Sequence, residues 1–257
     1  MDIAWEDKTS NYRKAESLIS RASPEPGDLV LLPEMFDTGF SFNTEKTADH
    51  DGATLRFISE LARDHEVYVH GARTVHVRGQ SHARNHATIV DPSGNVLADY
   101  AKIHPFSLGK EHERFQGGNE VMLWQWGGSQ GLSVCPAVCY DLRFPELFRT
   151  GLSRGAQAFA IGASWPEARA QHWRALLIAR AIENQAFVFG INRVGRDPNV
   201  SYAGGSIALG PRGEILGELA NQEGPLSVEV DPRDLKAWRE KFPAWKDGKL
   251  SYTPVTS

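Results

Sequence analysis

GLSVCPAVCYDLRFPELFRTGLSRGAQAFAIG (131–162) divides into three segments of different type. Residues 131–138 form a short, nearly continuous apolar run, the pattern of a strand buried on both faces. Residues 145–155 open on a proline, which a helix accepts in its first turn, and read as a helix. Residues 158–162 return to strand. Cys139 falls where the first strand ends, at the carboxyl edge of a sheet, where α/β folds place their chemistry. Working outward, the same alternation continues. TSNYRKAESLISRA (9–22) has apolar positions at helical spacing after a Ser/Thr start, GDLVLLPEMF (27–36) reads as a buried strand, and ATLRFISELARDHE (53–66) is helical. EVYVHGARTVHV (66–77) is a strand. Two hairpins turn at Asp91-Pro92-Ser93-Gly94 and at Gly210-Pro211-Arg212-Gly213. ARAQHWRALLIARAIENQ (168–185) is the longest helix, followed by the strand AFVFGINRVG. Sheet inside and helices outside, in a layered α/β sandwich, is the expected architecture.

Composition narrows the function classes. The chain has 257 residues, 41% hydrophobic and 23% charged, which suits a soluble globular protein rather than a disordered one. No linker or repeat divides it, so residues 1–257 are expected to be a single domain. Lys and Arg total 28 against 32 Asp and Glu, a net charge of −4. That balance argues against a nucleic-acid partner and against a polybasic membrane patch. No apolar run approaches the roughly 20 residues of a membrane span. Two cysteines make no disulfide framework, and point to a reducing, cytoplasmic setting. The opening MDIAWEDKTSNYRK lacks an apolar signal stretch. Its DIAWED resembles the exit of a first strand, either truncated or unusually short.

Several motifs compete for the chemistry. GGSQG (127–131) matches the G-x-S-x-G nucleophile elbow, but its flanks VMLWQW and LSVCPAV are both strand-like, whereas the elbow needs a following helix. His82 and His86 lack the further ligands a metal site requires, so no metal is expected. Cys139 is the stronger candidate. A cysteine in a core-like segment is ordinarily a small buried hydrophobe, and that reading suits Cys135, inside the strand. At Cys139 a nearby helix N-terminus favours thiolate, and free backbone N–H groups offer an oxyanion site. A thiol nucleophile needs a base and an oxyanion partner. His104 and His112 are available for a Cys–His dyad. Glu34, ending the apolar run LVLLPEMF, and Lys102, ending the second strand of the first hairpin in DYAKIHPF, are ordinarily salt-bridged surface residues. Together with Cys139 they place a proton acceptor, a cation and a nucleophile at three strand exits.

With these residues in view, the chain resembles the nitrilase superfamily of carbon–nitrogen hydrolases over nearly its whole length. Three segments carry the resemblance: LVLLPEMFDTGF around Glu34, DYAKIHPF around Lys102 and VCYDLRFPELFR around Cys139. DPSGNVLADYAKIH, HWRALLIARAIENQAFV and GGSIALGPRGEIL support it. The resemblance implies a four-layer αββα sandwich that pairs through helices into an eight-layer homodimer. It further implies Cys139 as nucleophile, Glu34 as general base and Lys102 as oxyanion stabiliser. A second glutamate is expected at Glu111, with Glu113 as the alternative. The Tyr140 N–H is expected in the oxyanion hole. No cofactor is called for, only an amide substrate and water.

Among branches, VCYDLRFPELFR and SWPEARAQHWRALLIARAIENQAFVFGINRVG look most like the bacterial ω-amidases, which cleave the terminal amide of 2-oxoglutaramate or 2-oxosuccinamate. Trp165 is expected to wall the pocket. Arg169 is expected either to read the substrate carboxylate or to be a solvated helix-start residue. Other amides, such as deaminated glutathione or N-carbamoyl compounds, remain open, as does a catalytically silent binding module on the same scaffold.

Overall fold

A computed structural model describes residues 1–76, 79–128 and 131–249. Helix α1 (Lys8–Ala22) leads to strand β1 (Leu29–Leu31), the single turn α2 (Thr44–Thr47) and helix α3 (Ala53–His65). A meander follows: β2 (Tyr68–His76), β3 (Ala83–Val90) and β4 (Val96–Ala101). After β5 (Trp124–Trp126) come β6 (Leu132–Val138), helix α4 (Pro145–Ser153), β7 (Ala158–Ala163), helix α5 (Ala170–Asn184) and β8 (Phe187–Asn192). A short ribbon, β9 (Val194–Arg196) and β10 (Ser201–Ala203), precedes the second hairpin, β11 (Ile207–Leu209) and β12 (Ile215–Glu218). Helix α6 (Pro232–Lys241) follows.

Strands β1 to β4 form one sheet in sequential order, and the second sheet runs β12-β11-β8-β7-β6-β5 with β6, β7 and β8 parallel. The two-residue period of a strand then builds the layers. Leu132, Val134, Ala158, Ala160, Phe187 and Phe189 face Ile89, Ala98 and Leu31 of the first sheet. The alternate residues Ala137, Phe159, Ile161 and Val188 face Leu147 and Phe148 of α4 and Trp173 and Leu177 of α5. On the other side Ala15 and Ile19 of α1 and Ile58, Leu61 and Ala62 of α3 cover Val69 and Ala72. The molecule is therefore an αββα sandwich.

Four details refine or depart from the sequence reading. Helix α1 is capped by Asp7, whose side chain accepts from the Ser10 N–H, rather than by Ser or Thr. The strand read over 27–36 pairs over only three residues, and Pro33, which has no N–H to donate to a ladder, follows it. The amino-terminal segment contributes a single parallel bridge, Asp2 to Val194, with Met1 and Ile3 buried. Helix α6, with Leu235 as its buried residue, shows no broad apolar stripe in sequence and was not anticipated. Ser129 of the GGSQG motif and Val77 lie outside the described residues. β5 and β6 flank that motif as an antiparallel pair, so a strand, not a helix, follows it. Among the described residues no helix is long and apolar enough to cross a membrane.

Candidate active site

The functional candidates converge where the two sheets meet. Lys102 directly follows β4, and its N–H donates to the Asn85 carbonyl on β3, which anchors the lysine backbone to the sheet. Its ammonium donates to Glu34 Oε1 at 2.9 Å and to Glu111 Oε2 at 2.8 Å, and all three side chains are buried. Glu111 lies on a short helical turn (Glu111–Glu113), where its Oε2 also accepts from the Phe106 N–H at 2.6 Å. Glu113 is exposed and faces Lys110, so it is Glu111 that reaches the lysine. Gly118 makes this loop possible: its N–H donates to the Lys102 carbonyl, and a Cβ there would collide with the Ala101 carbonyl.

Glu34 reaches the same place from the other edge of the first sheet. Its Oε2 accepts from the Ser164 N–H at 2.9 Å, just past β7 of the second sheet. Gly162 lets the two strands' ends touch, since a Cβ there would lie 3.0 Å from the Leu32 carbonyl oxygen. Met35, the next residue, takes φ 45°, a left-handed conformation that costs a residue with a side chain about 1–3 kcal/mol. Asn85, absent from the sequence candidates, donates through Nδ2 to Glu34 Oε1 at 2.8 Å and to Glu111 Oε1 at 3.2 Å. Two carboxylates around one ammonium would repel each other, and the amide donor bridges them.

Cys139 opens a short helical turn (Cys139–Arg143) directly after β6, with φ 46°. It lies on the wall of a cavity of about 580 Å³, together with Lys102, Tyr140, Ser164, Trp165 and Arg169. The Tyr140 N–H sits in the first turn, where helical geometry supplies no internal acceptor. Burial, then the negative charge of Glu34, pushes the Cys139 thiol well above its ordinary value, against the pull of Lys102. Burial also opposes charge on Lys102, but Glu111 and Glu34 outweigh it and hold the ammonium well above its usual range. Burial raises the Glu111 carboxyl despite Lys102. No Cys–His dyad forms: His104 Nδ1 lies 2.8 Å from Asp141 Oδ1, and His112 is exposed. Cys135 is enclosed in the core, and burial pushes its thiol up to about 12. His82 contacts Ser81 and His86 faces Asp99, so they form no pair with each other.

Aromatic and charged side chains share the cavity wall. Trp165 is buried, its Nε1 donates to the Arg169 carbonyl at 2.8 Å, and its backbone N–H donates to Asn192 Oδ1. Arg169 is half-buried, with its guanidinium 5.4 Å from the centre of the Phe106 ring. Arg143, four residues after the cysteine and missed in sequence, also lines the cavity, 4.8 Å from the Trp165 ring. The β9–β10 ribbon adds Tyr202 and Asp197, which are joined by a 2.5 Å hydrogen bond.

A buried lysine between two glutamates, beside a cysteine at a strand exit, on an αββα sandwich, defines a class of hydrolases. The chain belongs to the carbon–nitrogen hydrolase family, whose model matches residues 1–240. It is thus a carbon–nitrogen hydrolase acting on amides. It is 36% identical to the 2-oxoglutaramate amidase of Bacillus subtilis (strain 168) over 248 residues, covering 96% of this chain and 94% of that protein. It is 35% identical to the omega-amidase YafV of Escherichia coli (strain K12), covering 95% and 93% respectively. Its fold superposes on the crystal structure of XC1258 from Xanthomonas campestris, a CN-hydrolase superfamily protein with an arsenic adduct in its active site. That match has a TM-score of 0.90 and 33% identity, and covers 98% of this chain and 96% of the other.

Proposed function

We propose that the protein hydrolyses the terminal amide of a short 2-oxo acid ω-amide, 2-oxoglutaramate or 2-oxosuccinamate, through a thioester on Cys139. The observation that carries this reading is the Glu34–Lys102–Glu111 cluster beside Cys139, on a cavity whose wall also holds Arg143 and Arg169. The bacterial relatives named for 2-oxoglutaramate and ω-amides support it.

Burial and Glu34 favour the neutral thiol, so attack and deprotonation are coupled: Glu34 accepts the Cys139 proton as sulfur attacks the amide carbon. Negative charge then builds on the carbonyl oxygen, and the Lys102 ammonium with the Tyr140 N–H stabilises it. Glu34 returns the proton to the departing ammonia. It next takes a proton from water, whose oxygen attacks the thioester and releases the acid and the free thiol. Glu111 and Asn85 keep Lys102 charged and directed. Every bond made and broken uses only enzyme groups, substrate and water.

A carboxylate at the far end of the substrate needs a cation in a mostly apolar cavity, because burying it unpaired is costly. Arg169 and Arg143 are planar donors suited to two parallel hydrogen bonds. The two free cysteines favour a cytoplasmic enzyme. Ile182 on α5 is exposed, with Leu176 and Ile178 half-buried beside it, which favours a homodimer through the outer helices. Light scattering at micromolar concentration is expected to give twice the chain mass. The acidic net charge leaves nucleic acid and membranes out of the reading. The decisive test is ammonia release across a panel of amides. The two oxo-acid ω-amides are expected to lead, with nitriles and uncharged aliphatic amides slow. Leading rates on neutral amides would replace this reading with another amidase specificity.

A further inference from the structure

Lys102 has neighbours two residues away on either side, Tyr100 and His104, and both grip one carboxylate. The Tyr100 hydroxyl donates to Asp141 Oδ2 at 2.8 Å, and the His104 backbone N–H donates to Asp141 Oδ1 at 2.9 Å. The His104 ring nitrogen Nδ1 lies 2.8 Å from the same Oδ1; a carboxylate only accepts, so Nδ1 carries the hydrogen. The fourth donor comes from the cysteine side. The N–H of Val138, the residue before Cys139, reaches Asp141 Oδ2 at 3.1 Å. Asp141 is fully buried, and its four lone-pair directions are all used. Burial and Asp141 hold the Tyr100 hydroxyl well above the usual phenol range, so it stays a donor. The His104 ring also stacks on Phe144, 3.7 Å between centres, which fixes its orientation.

These contacts have a specific geometric consequence. Lys102 follows β4 of the first sheet and Cys139 follows β6 of the second. Their segments are joined through one carboxylate, which bonds the residues two positions either side of Lys102 and the residue before Cys139. The turn at Cys139 is also in a left-handed conformation that needs outside support. We propose that Asp141 is a positioning residue of the amidase: its carboxylate holds the Lys102 segment and the Cys139 turn in register, so that ammonium and sulfur address the same carbonyl. The proposal rests on the amide-hydrolysis reading but not on which amide is preferred. Asp141 touches no substrate and acts only through Lys102 and Cys139.

Asp141→Asn would place an NH2 against the Val138 N–H or against His104, breaking the set. Tyr100→Phe removes one donor and leaves the ring packing intact. Both variants would be assayed with whichever amide of the panel the wild type hydrolyses best. Rates would be expressed per Cys139 titrated by iodoacetamide, with labelling located by peptide mapping. The expected result is a kcat lowered about 100-fold for Asp141→Asn, since a misplacement of about 1 Å costs that much. Tyr100→Phe should lose about 5- to 10-fold, in line with one hydrogen bond. KM should change less than about threefold in both, and the pH limits of kcat should stay in place. A purely structural role would lower the number of titratable sites and leave kcat per site unchanged. That result in Tyr100→Phe overturns the proposal, even if Asp141→Asn fails to fold. A rise in KM with kcat intact also overturns it, by making Asp141 part of substrate binding.

Discussion

The two sheets divide the work of the site unequally. The β1–β4 sheet and its loops supply buried charge: Glu34, Lys102 and Glu111, with Asp37 sealed three residues beyond Glu34. The sheet built on β6, β7 and β8 supplies Cys139 and one wall of the cavity, with Tyr140, Trp165, Arg143 and Arg169. Charges in the first region are satisfied within the protein before substrate arrives, which is the condition for electrostatic stabilisation without reorganisation. In the second region half-buried arginines lie on aromatic faces, Arg169 against Phe106, and Arg143 against Trp165 with its Nη2 also 3.3 Å from His172 Nδ1. Removing a group from the first region should therefore damage the chemical step, and from the second should damage the nucleophile or recognition.

The largest effect is expected at the junction. Cys139→Ala should lower turnover on the order of 10⁴-fold or more with the fold intact, since on the proposed mechanism Cys139 forms the acyl bond. Glu34→Gln and Lys102→Met should each lower kcat by roughly 10²- to 10³-fold with modest change in KM. Steady-state kinetics showing the loss mainly in KM would move that residue from the chemistry to binding.

A third comparison concerns stability. Burial raises the Asp37 carboxyl to about 6, despite Lys8 at 3.8 Å and a hydrogen bond from Thr54. A carboxyl raised above its unfolded value favours the folded state below about pH 4 and loses that contribution as pH rises through about 6. The difference corresponds to about 3 kcal/mol. Denaturant melts of wild type and Asp37→Asn should show the wild type losing relative stability between pH 4 and pH 7; a constant difference would show Asp37 ionised without cost. Arg169→Ala should lower kcat/KM about tenfold for an oxo-acid ω-amide and much less for a neutral amide of equal length. Equal losses would assign it to packing against Phe106. The smallest change is expected for Cys135→Ala, about 1 kcal/mol of stability with turnover preserved.

Much of this arrangement was legible in the residues. The alternation of apolar runs with helical segments gave the layers, since strand and helix periods decide which faces are covered. Glu34, Lys102 and Cys139 stood out because polar residues at the ends of apolar strands need a reason. Spacing to Gly118 favoured Glu111 over Glu113, and the helical turn at 111–113 points Glu111 to Lys102 and Glu113 to Lys110. Asn85, Ser164 and Asp141 were not found, because each acts through contacts with residues 26 to 130 positions away. Arg143 sat in plain view beside the cysteine, but its direction toward the cavity depends on the short turn after β6. The left-handed backbone at Met35 and Cys139 carries no glycine to announce it. The Cys139 thiol is raised, because desolvation and the Glu34 charge oppose the thiolate there.

The central claim is an acyl group carried by Cys139. Rapid acid quenching of the wild type during turnover of 2-oxoglutaramate, followed by peptide mass spectrometry, tests it directly. The expected result is one acyl group per chain on the peptide bearing Cys139, and neither adduct nor ammonia release in Cys139→Ala. An adduct elsewhere, or undiminished ammonia release by Cys139→Ala, would contradict it.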